Sequence, residues 1–220
     1  LTGEDLTLPA FYDVVLGGRP VRLSPIAKRR MTAAYEVIRR VVAQTDPVYG
    51  VTTGFGKLAD QRISSSDIKQ LQLNLVRSHA AGVGEPLTRE ETRGVLLLRA
   101  NVLARGHSGV RPLIAEYLLT LLNRDVLPVI PSRGSVGASG DLAPLAHVAL
   151  ILIGEGEAFV GPRRVSGRAA LARVGLEPLH LEAKEGLSLV NGTQAMLSLG
   201  LLALGRCRLL VDAADVAGAL

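Results

Sequence analysis

The sequence predicts a mainly α-helical fold, on three observations. Apolar residues recur at helical spacing through most of the chain, helix-start chemistry stands in front of those runs, and strand signals are short and tied to glycine- and proline-rich turns. At 220 residues, 48% hydrophobic and 20% charged, the chain has enough material for a core and is neither disordered nor a small disulfide-stapled scaffold.

The helices follow in order. Ser24-Pro25 combines an N-cap with a first-turn proline, and Ile26, Met31, Ala34, Ile38, Val41 and Val42 then keep to one face until Thr45-Asp46-Pro47. Ser64-Ser65-Ser66-Asp67 opens a helix with Ile68, Leu71, Leu75 and Val76 inward. Thr88 and Glu91 form a capping box ahead of Val95, Leu96, Leu98, Val102 and Leu103, and Gly106 ends that run. Pro112 starts a helix to about Asn123. Pro128, Pro131, Gly134, Gly137 and Gly140 are too dense for a helix or a central strand, and a helix resumes after Asp141. Residues 158–165 read as a β-hairpin around Gly161-Pro162, residues 20–23 as a second small strand, and residues 166–174 as a short helix. A long helix runs from Thr193 to Leu220, with Gly200 and Gly205 expected to allow close helix approach. No repeat or linker divides the chain, so residues 1–220 read as one domain.

The formal net charge of +5 and pI of about 9.8 raise the question of nucleic acid. The basic residues are scattered arginine pairs (29–30, 39–40, 163–164) without interleaved aromatics, so a solvated arginine-rich surface is expected and no nucleic-acid partner. The longest apolar run, residues 142–153, is too short to span a bilayer, and no membrane association is expected. The acidic start, Leu-Thr-Gly-Glu-Asp, lacks the features of a signal peptide, and a lone Cys207 suits a reducing compartment, so a cytoplasmic location is expected. Both ends look cut, the second inside a helix, as in a piece of a longer protein.

Several catalytic motifs fail. Gly56-Lys57 would end a phosphate loop, but Val51 stands where its first glycine belongs and Leu58 follows the lysine. Gly154-Glu-Gly156 has Phe159 in place of the third glycine of a dinucleotide fingerprint. Nucleophile-elbow spacing fails around Ser108, Ser139 and Ser188. Histidines 79, 107, 147 and 180 have no ligand-type partners at helical spacing, so no metal is expected, and His147 reads as a satisfied core residue.

The segment Gly134-Ser-Val-Gly-Ala-Ser-Gly-Asp-Leu-Ala-Pro-Leu carries chemistry. Glycines surround Ala138-Ser139-Gly140, so the backbone can fold tightly enough for the Gly140 nitrogen to attack the Ala138 carbonyl. Ring closure with loss of water, and loss of the Ser139 hydroxyl as a second water, would leave an exocyclic methylidene electrophile. The positive end of the following helix would make it more electron-poor. The plain alternative is a glycine-rich loop in which Ser139 or Asp141 caps the helix.

That segment resembles the signature of the aromatic amino acid ammonia-lyases, in which Ala-Ser-Gly forms 4-methylidene-imidazol-5-one (MIO). Three further blocks carry the resemblance in order: Tyr49-Gly-Val-Thr-Thr-Gly-Phe-Gly, Ser78-His-Ala-Ala-Gly-Val-Gly-Glu-Pro-Leu with Arg99-Ala-Asn-Val-Leu-Ala-Arg-Gly-His-Ser-Gly-Val, and Glu185-Gly-Leu-Ser-Leu-Val-Asn-Gly-Thr-Gln. The resemblance implies the N-terminal helical domain of the ammonia-lyase (fumarase/aspartase-like helical) fold, with a few short β-hairpins and the start of a long central helix bundle. It implies a carbon–nitrogen lyase with Ala138, Ser139, Gly140, Tyr49 and Asn191 catalytic, Tyr49 as the base and Asn191 bonded to the prosthetic group. Removing a weakly acidic β-proton while expelling amine calls for such an electrophile and a placed base. A phenol titrates near 10, so Tyr49 would need a depressed pKa or a strongly electrostatic site; otherwise it is a half-buried loop residue. Asn191 could equally cap the helix from Thr193, and Asp141 matches the family's maturation aspartate. The glycines at 54, 56 and 137 are expected to be conformational, and residues 99–110 scaffold, with the role of Asn101 left open.

Ser78-His79 is similar to the Ser-His pair of the family's histidine-type members, where phenylalanine- and tyrosine-type enzymes carry Phe-Leu and His-Leu. The implied substrate is L-histidine, converted to trans-urocanate, with His79 contacting the substrate imidazole as donor or acceptor. Thr52 departs from the asparagine frequent in that group, a small change in loop hydrogen bonding. Family subunits are longer, place further substrate-binding residues in a later half, and assemble as homotetramers with shared active sites. A mean hydropathy of +0.30 fits helices awaiting such partners. Activity of the chain alone is therefore in question. The alternatives are another MIO enzyme (a tyrosine or phenylalanine ammonia-lyase or an aminomutase) and a non-catalytic helical assembly domain with an unmodified loop.

Overall fold

The structure is a computed structural model that describes residues 1–44, 46–54, 63–137 and 140–220, with the side chains of residues 65 and 66 also left aside. The elements are α1 (Leu8–Val15), α2 (Pro25–Ala43), α3 (Ser65–His79), β1 (Val83–Pro86), α4 (Arg89–Ala104), α5 (Pro112–Asn123), β2 (Val126–Pro128), β3 (Pro131–Arg133), α6 (Leu142–Leu152), β4 (Glu157–Val160), β5 (Arg163–Ser166), α7 (Gly167–Arg173), α8 (Glu185–Val190) and α9 (Gln194–Ala219). The mainly helical expectation holds.

Helix α4 is the axis of the fold. Its start is the expected capping box: Thr88 Oγ1 accepts the Glu91 N–H at 3.3 Å, and the Glu91 carboxylate accepts the Thr88 N–H at 2.8 Å. From Thr92 to Ala100 every residue is buried, because α1, α2, α5 and α9 surround it. A helix enclosed on all sides needs apolar residues all round, and Val95, Leu96, Leu97, Leu98 and Leu103 supply them. Gly94 is the point of closest approach to α9. A Cβ there would lie 2.0 Å from Ser198 Oγ, which donates to the Glu91 carbonyl at 2.8 Å. Its partner α5 begins at Pro112 and ends at Asn123, as read.

The strands are short and lie beside the helices. β4 and β5 form the expected hairpin, with Glu157 opposite Ser166 and Val160 opposite Arg163. The other pairings are long-range rather than hairpins: β2 joins β4 antiparallel to make the order β2-β4-β5, and β1 pairs with β3. Thus the proline-rich segment after Asp125 forms edge strands only, as its missing N–H groups require.

Several expectations need correction. Residues 20–23 form no strand, because the Asn123 side chain supplies both bonds of Val21: its Oδ1 accepts the Val21 N–H at 2.9 Å and its Nδ2 donates to the Val21 carbonyl at 2.8 Å. Ile26 is 54% exposed, and Ala27 takes the inward position at that turn. Helices α1 and α8 lacked a long enough apolar period to be read. Gly200 faces open space, and Gly205 accommodates the Tyr12 ring rather than a helix backbone, a Cβ there lying 2.9 Å from the Tyr12 hydroxyl. Finally, residues 185–219 form a stretch long and apolar enough, by length and composition, to cross a membrane. The first turns of α9 (Gln194, Ala195, Ser198, Leu202) are instead buried, against α4, whereas Leu209, Leu210, Val211 and Val216 are exposed.

Because Gly94 and Ser198 meet without a gap, Gly94→Ala is expected to destabilise the fold by about 1–3 kcal/mol. A urea titration followed by circular dichroism checks this; an unchanged midpoint would mean that α9 does not sit against α4 as described.

Candidate active site

The loop between β3 and α6 is framed from both ends. Ala138 and Ser139 lie outside the described residues, but their neighbours define the frame. The Val136 N–H points to the Gly140 carbonyl at 3.4 Å, drawing the ends of the turn together, and Gly137 has φ +70°. A Cβ on Gly140 would lie 2.1 Å from a γ-methyl of the exposed Val136, so a larger residue there would have to displace that side chain. Ser135 Oγ accepts the Gly137 N–H at 3.2 Å and donates to the Asp141 carboxyl.

Asp141 is fully buried at this junction. It precedes α6 but does not cap it with its side chain. Instead its carboxyl accepts from Ser135 and, at 2.9 Å, from the Met196 N–H in the first turn of α9. Its own N–H donates to the Gly192 carbonyl at 3.3 Å. The capping alternative for Asp141 therefore fails, and the loop is tied to the turn between α8 and α9.

That turn carries Asn191. It ends α8, its N–H donating to the Leu187 carbonyl at 3.0 Å, and it does not cap α9. Thr193 holds the N-cap position there and makes no side-chain capping bond either. The Asn191 side chain is exposed and makes no hydrogen bond among the described residues, so its amide is uncommitted beside the loop. Gly140, Asp141 and Asn191, predicted from separate sequence blocks, are thus brought to one place.

Arg99 was missed as a member of this group. It lies in α4, is 2% exposed, and bonds the Asn191 and Ser188 carbonyls and the Gln194 side chain. The signal was there: one arginine inside the apolar run Leu96-Leu97-Leu98-Arg99-Ala100. In the same block, the buried Asn101 Oδ1 makes no hydrogen bond to the described residues.

His79 and Tyr49 lie at the ends of other elements. His79 is the last residue of α3, with Nδ1 2.8 Å from the Leu75 carbonyl and 3.2 Å from Ser78 Oγ. A carbonyl only accepts, so Nδ1 carries the proton and Nε2 is the acceptor in the neutral ring. Beyond it, Gly82 packs against Gly134 at the root of the loop, where a Cβ on Gly134 would come within 3.3 Å of the Gly82 Cα. Tyr49 is 62% exposed, more than a half-buried loop residue, on a turn held by two threonines. Thr52 Oγ1 accepts the Val48 N–H at 2.8 Å and Thr53 Oγ1 the Gly50 N–H at 3.3 Å. Thr52 thus serves the loop hydrogen bonding expected of it. The glycine at 56 lies outside the described residues. A cavity of about 450 Å³ between α2 and α5, lined by Lys28, Leu113, Glu116 and Tyr117 among others, involves none of these residues.

A family model described as aromatic amino acid lyase matches residues 6–220. The chain belongs to this family. Among its curated relatives, it is 54% identical over 220 residues to a histidine ammonia-lyase of Stigmatella aurantiaca, covering 100% of this chain and 43% of that protein. It is 56% identical to a histidine ammonia-lyase of Koribacter versatilis (strain Ellin345), with the same coverage. The crystal structure of histidine ammonia-lyase from Trypanosoma cruzi matches with a TM-score of 0.90 at 42% identity, over 99% of this chain and 42% of that one. A tyrosine aminomutase from Streptomyces globisporus matches with a TM-score of 0.87 at 43% identity, over 93% and 38%. The chain therefore spans less than half the length of these relatives.

His147, half-buried in α6, accepts the Gly82 N–H through Nε2 at 3.2 Å, and burial lowers its pKa below the ordinary 6.5. The unfolded chain then binds a proton before the folded one, so this contribution is present above about pH 6.5 and is lost as pH falls toward the folded value. His147→Gln keeps an acceptor for Gly82 and removes the titration. The expected result is a shallower loss of melting temperature between about pH 6.5 and 5 than in the parent; an identical slope would overturn the assignment.

Proposed function

We propose that this lyase chain is the N-terminal part of a histidine ammonia-lyase subunit, which eliminates ammonia from L-histidine to give trans-urocanate. The proposal includes an MIO group formed from Ala138, Ser139 and Gly140, a homotetrameric assembly and a cytoplasmic location. The observation that carries it is the meeting of Gly140 and Asp141 with the Asn191 turn, in a chain whose curated relatives at 54–56% identity are named histidine ammonia-lyases.

The residues around the tripeptide suit a cyclised group. Val136 and Gly140 are bonded to each other, a Cβ at position 140 would press on the Val136 side chain, and the Asn191 amide has no competing partner among the described residues. Asn191 would hold the group from the α8–α9 side, and Asp141, next to Gly140, would serve its maturation. When formed, MIO supplies an electrophile that engages the substrate. The chain's other residues orient the substrate and move the proton. His79 Nε2 accepts from an imidazole N–H of the substrate while Nδ1 stays committed to Leu75. The Tyr49 oxygen takes the β-proton as the Cα–N bond breaks and ammonia leaves, which yields the double bond of urocanate. The exposure of Tyr49 fits a site completed by other chain segments, because a base must be water-shielded to act on so weak an acid.

Two variants in a complete subunit carrying this chain test the reading. Ser139→Ala should abolish both urocanate formation, read by its absorbance, and the mass deficit of two waters in the peptide holding residues 138–140. Tyr49→Phe should keep the deficit and lower kcat by roughly 10²- to 10⁴-fold. Cinnamate or coumarate in place of urocanate would reassign the substrate, and an unshifted peptide mass would refute the prosthetic group.

A further inference from the structure

Two arginines of α4 are buried six positions apart, and they differ in one respect. Arg93 caps the ends of α1 and α5 by donating to the carbonyls of Val14, Val15 and Leu122, and its charge is met by Asp125 at 2.8 Å. It is a scaffold residue with its counter-ion. Arg99 has the same mode of contact and no carboxylate within salt-bridge distance among the described residues. Its Nη1 donates to the Asn191 carbonyl at 2.9 Å and to Gln194 Oε1 at 2.6 Å, and Nη2 donates to the Ser188 carbonyl.

A buried cation without a counter-ion is costly, and burial lowers the Arg99 pKa to about 10, which still leaves it charged at neutral pH. The charge is met by the negative end of α8, whose last-turn carbonyls it collects. The packing is tight. A Cβ on Gly192 would lie 2.4 Å from Arg99 Nη1 and 2.1 Å from Gln194 Oε1, so residue 192 sits directly on the guanidinium. On its other side the same turn is held through the bonds of Asp141 to Gly192 and Met196. The turn that carries Asn191 is therefore gripped from α4 by Arg99 and from the glycine loop by Asp141.

We infer that Arg99 is a positioning residue for the proposed reaction: its forked guanidinium sets the Asn191 turn against Asp141, the residue that follows Gly140. The inference rests on the function proposed above. Lysine cannot reproduce the role, since a single ammonium on a flexible stem does not span three acceptors in one plane.

The test is a double-mutant cycle of Arg99→Lys and Asn191→Ala in the complete subunit, read by kcat, by KM for L-histidine, and by the fraction of the 138–140 peptide that has lost two waters. Arg99→Lys is expected to lower kcat roughly 10- to 100-fold, as a small misplacement of a reacting group does. KM should stay within about twofold, and the dehydrated fraction at a fixed time after synthesis should fall. In the Asn191→Ala background, Arg99→Lys should add nothing further, because the two act through one position. Wild-type kcat and dehydration in Arg99→Lys, or losses that add in the double variant, would overturn the inference while leaving the proposed function standing. An Asn191→Ala variant with full kcat would overturn both. Should Arg99→Lys not assemble, Gln194→Met, which keeps the guanidinium and its carbonyl acceptors, is read by the same three quantities.

Discussion

The enclosure of α4 is the constraint on which the rest depends. Burying a charge in a helix covered on all sides is costly unless it is hydrogen-bonded, yet α4 carries Arg93 and Arg99 within its buried stretch, the Nε of Arg99 having no partner among the described residues. Each guanidinium must find acceptors, and the acceptors on offer are the carbonyls that helix ends cannot pair for themselves. Arg93 thereby fixes where α1 and α5 stop, and Arg99 fixes where α8 stops. At the other end of α8, the fully buried Glu185 is paired with Arg111 at 2.7 Å. A helix of six residues has little stability of its own, so these two arginines hold α8 in place.

The consequence reaches the candidate site through one turn. Residues 191–193 connect α8 to α9, and with the first turn of α9 they receive Arg99 from within the helix bundle and meet Asp141 from the glycine loop. Asp141 and the Asn191 turn are therefore tied directly to each other, whereas His79 is delivered on the end of α3 and Tyr49 on a turn between α2 and α3. Preorganisation is strongest where the backbone is shared in this way and weaker where a side chain projects from an exposed turn. The arrangement fits a chain that spans less than half the length of its curated relatives.

Much of the helical fold was legible because its signals are local. The capping box at Thr88, the first-turn prolines at 25 and 112, and the hairpin at Gly161-Pro162 each encode their geometry within a few residues. The failures share a cause. The pairing of β1 with β3 joins segments far apart in sequence, α1 and α8 are too short to show a period, and Asn123 replaces a strand partner for Val21 with a side chain. Ile26 shows the same limit in reverse: helical spacing allowed it an inward position that Ala27 occupies.

The sequence by itself determined the helical class, most of the helix starts, the resemblance to a lyase family and the glycine-dense loop before α6 as a candidate site, because side-chain period, caps and glycine placement act over short distances. Only the tertiary structure decided that Asp141 ties the loop to α9 instead of capping α6, that Asn191 closes α8 instead of opening α9, and that Arg99 belongs with them. Those assignments depend on which buried donor meets which orphaned carbonyl, and that is settled by packing between segments about 50 to 90 residues apart.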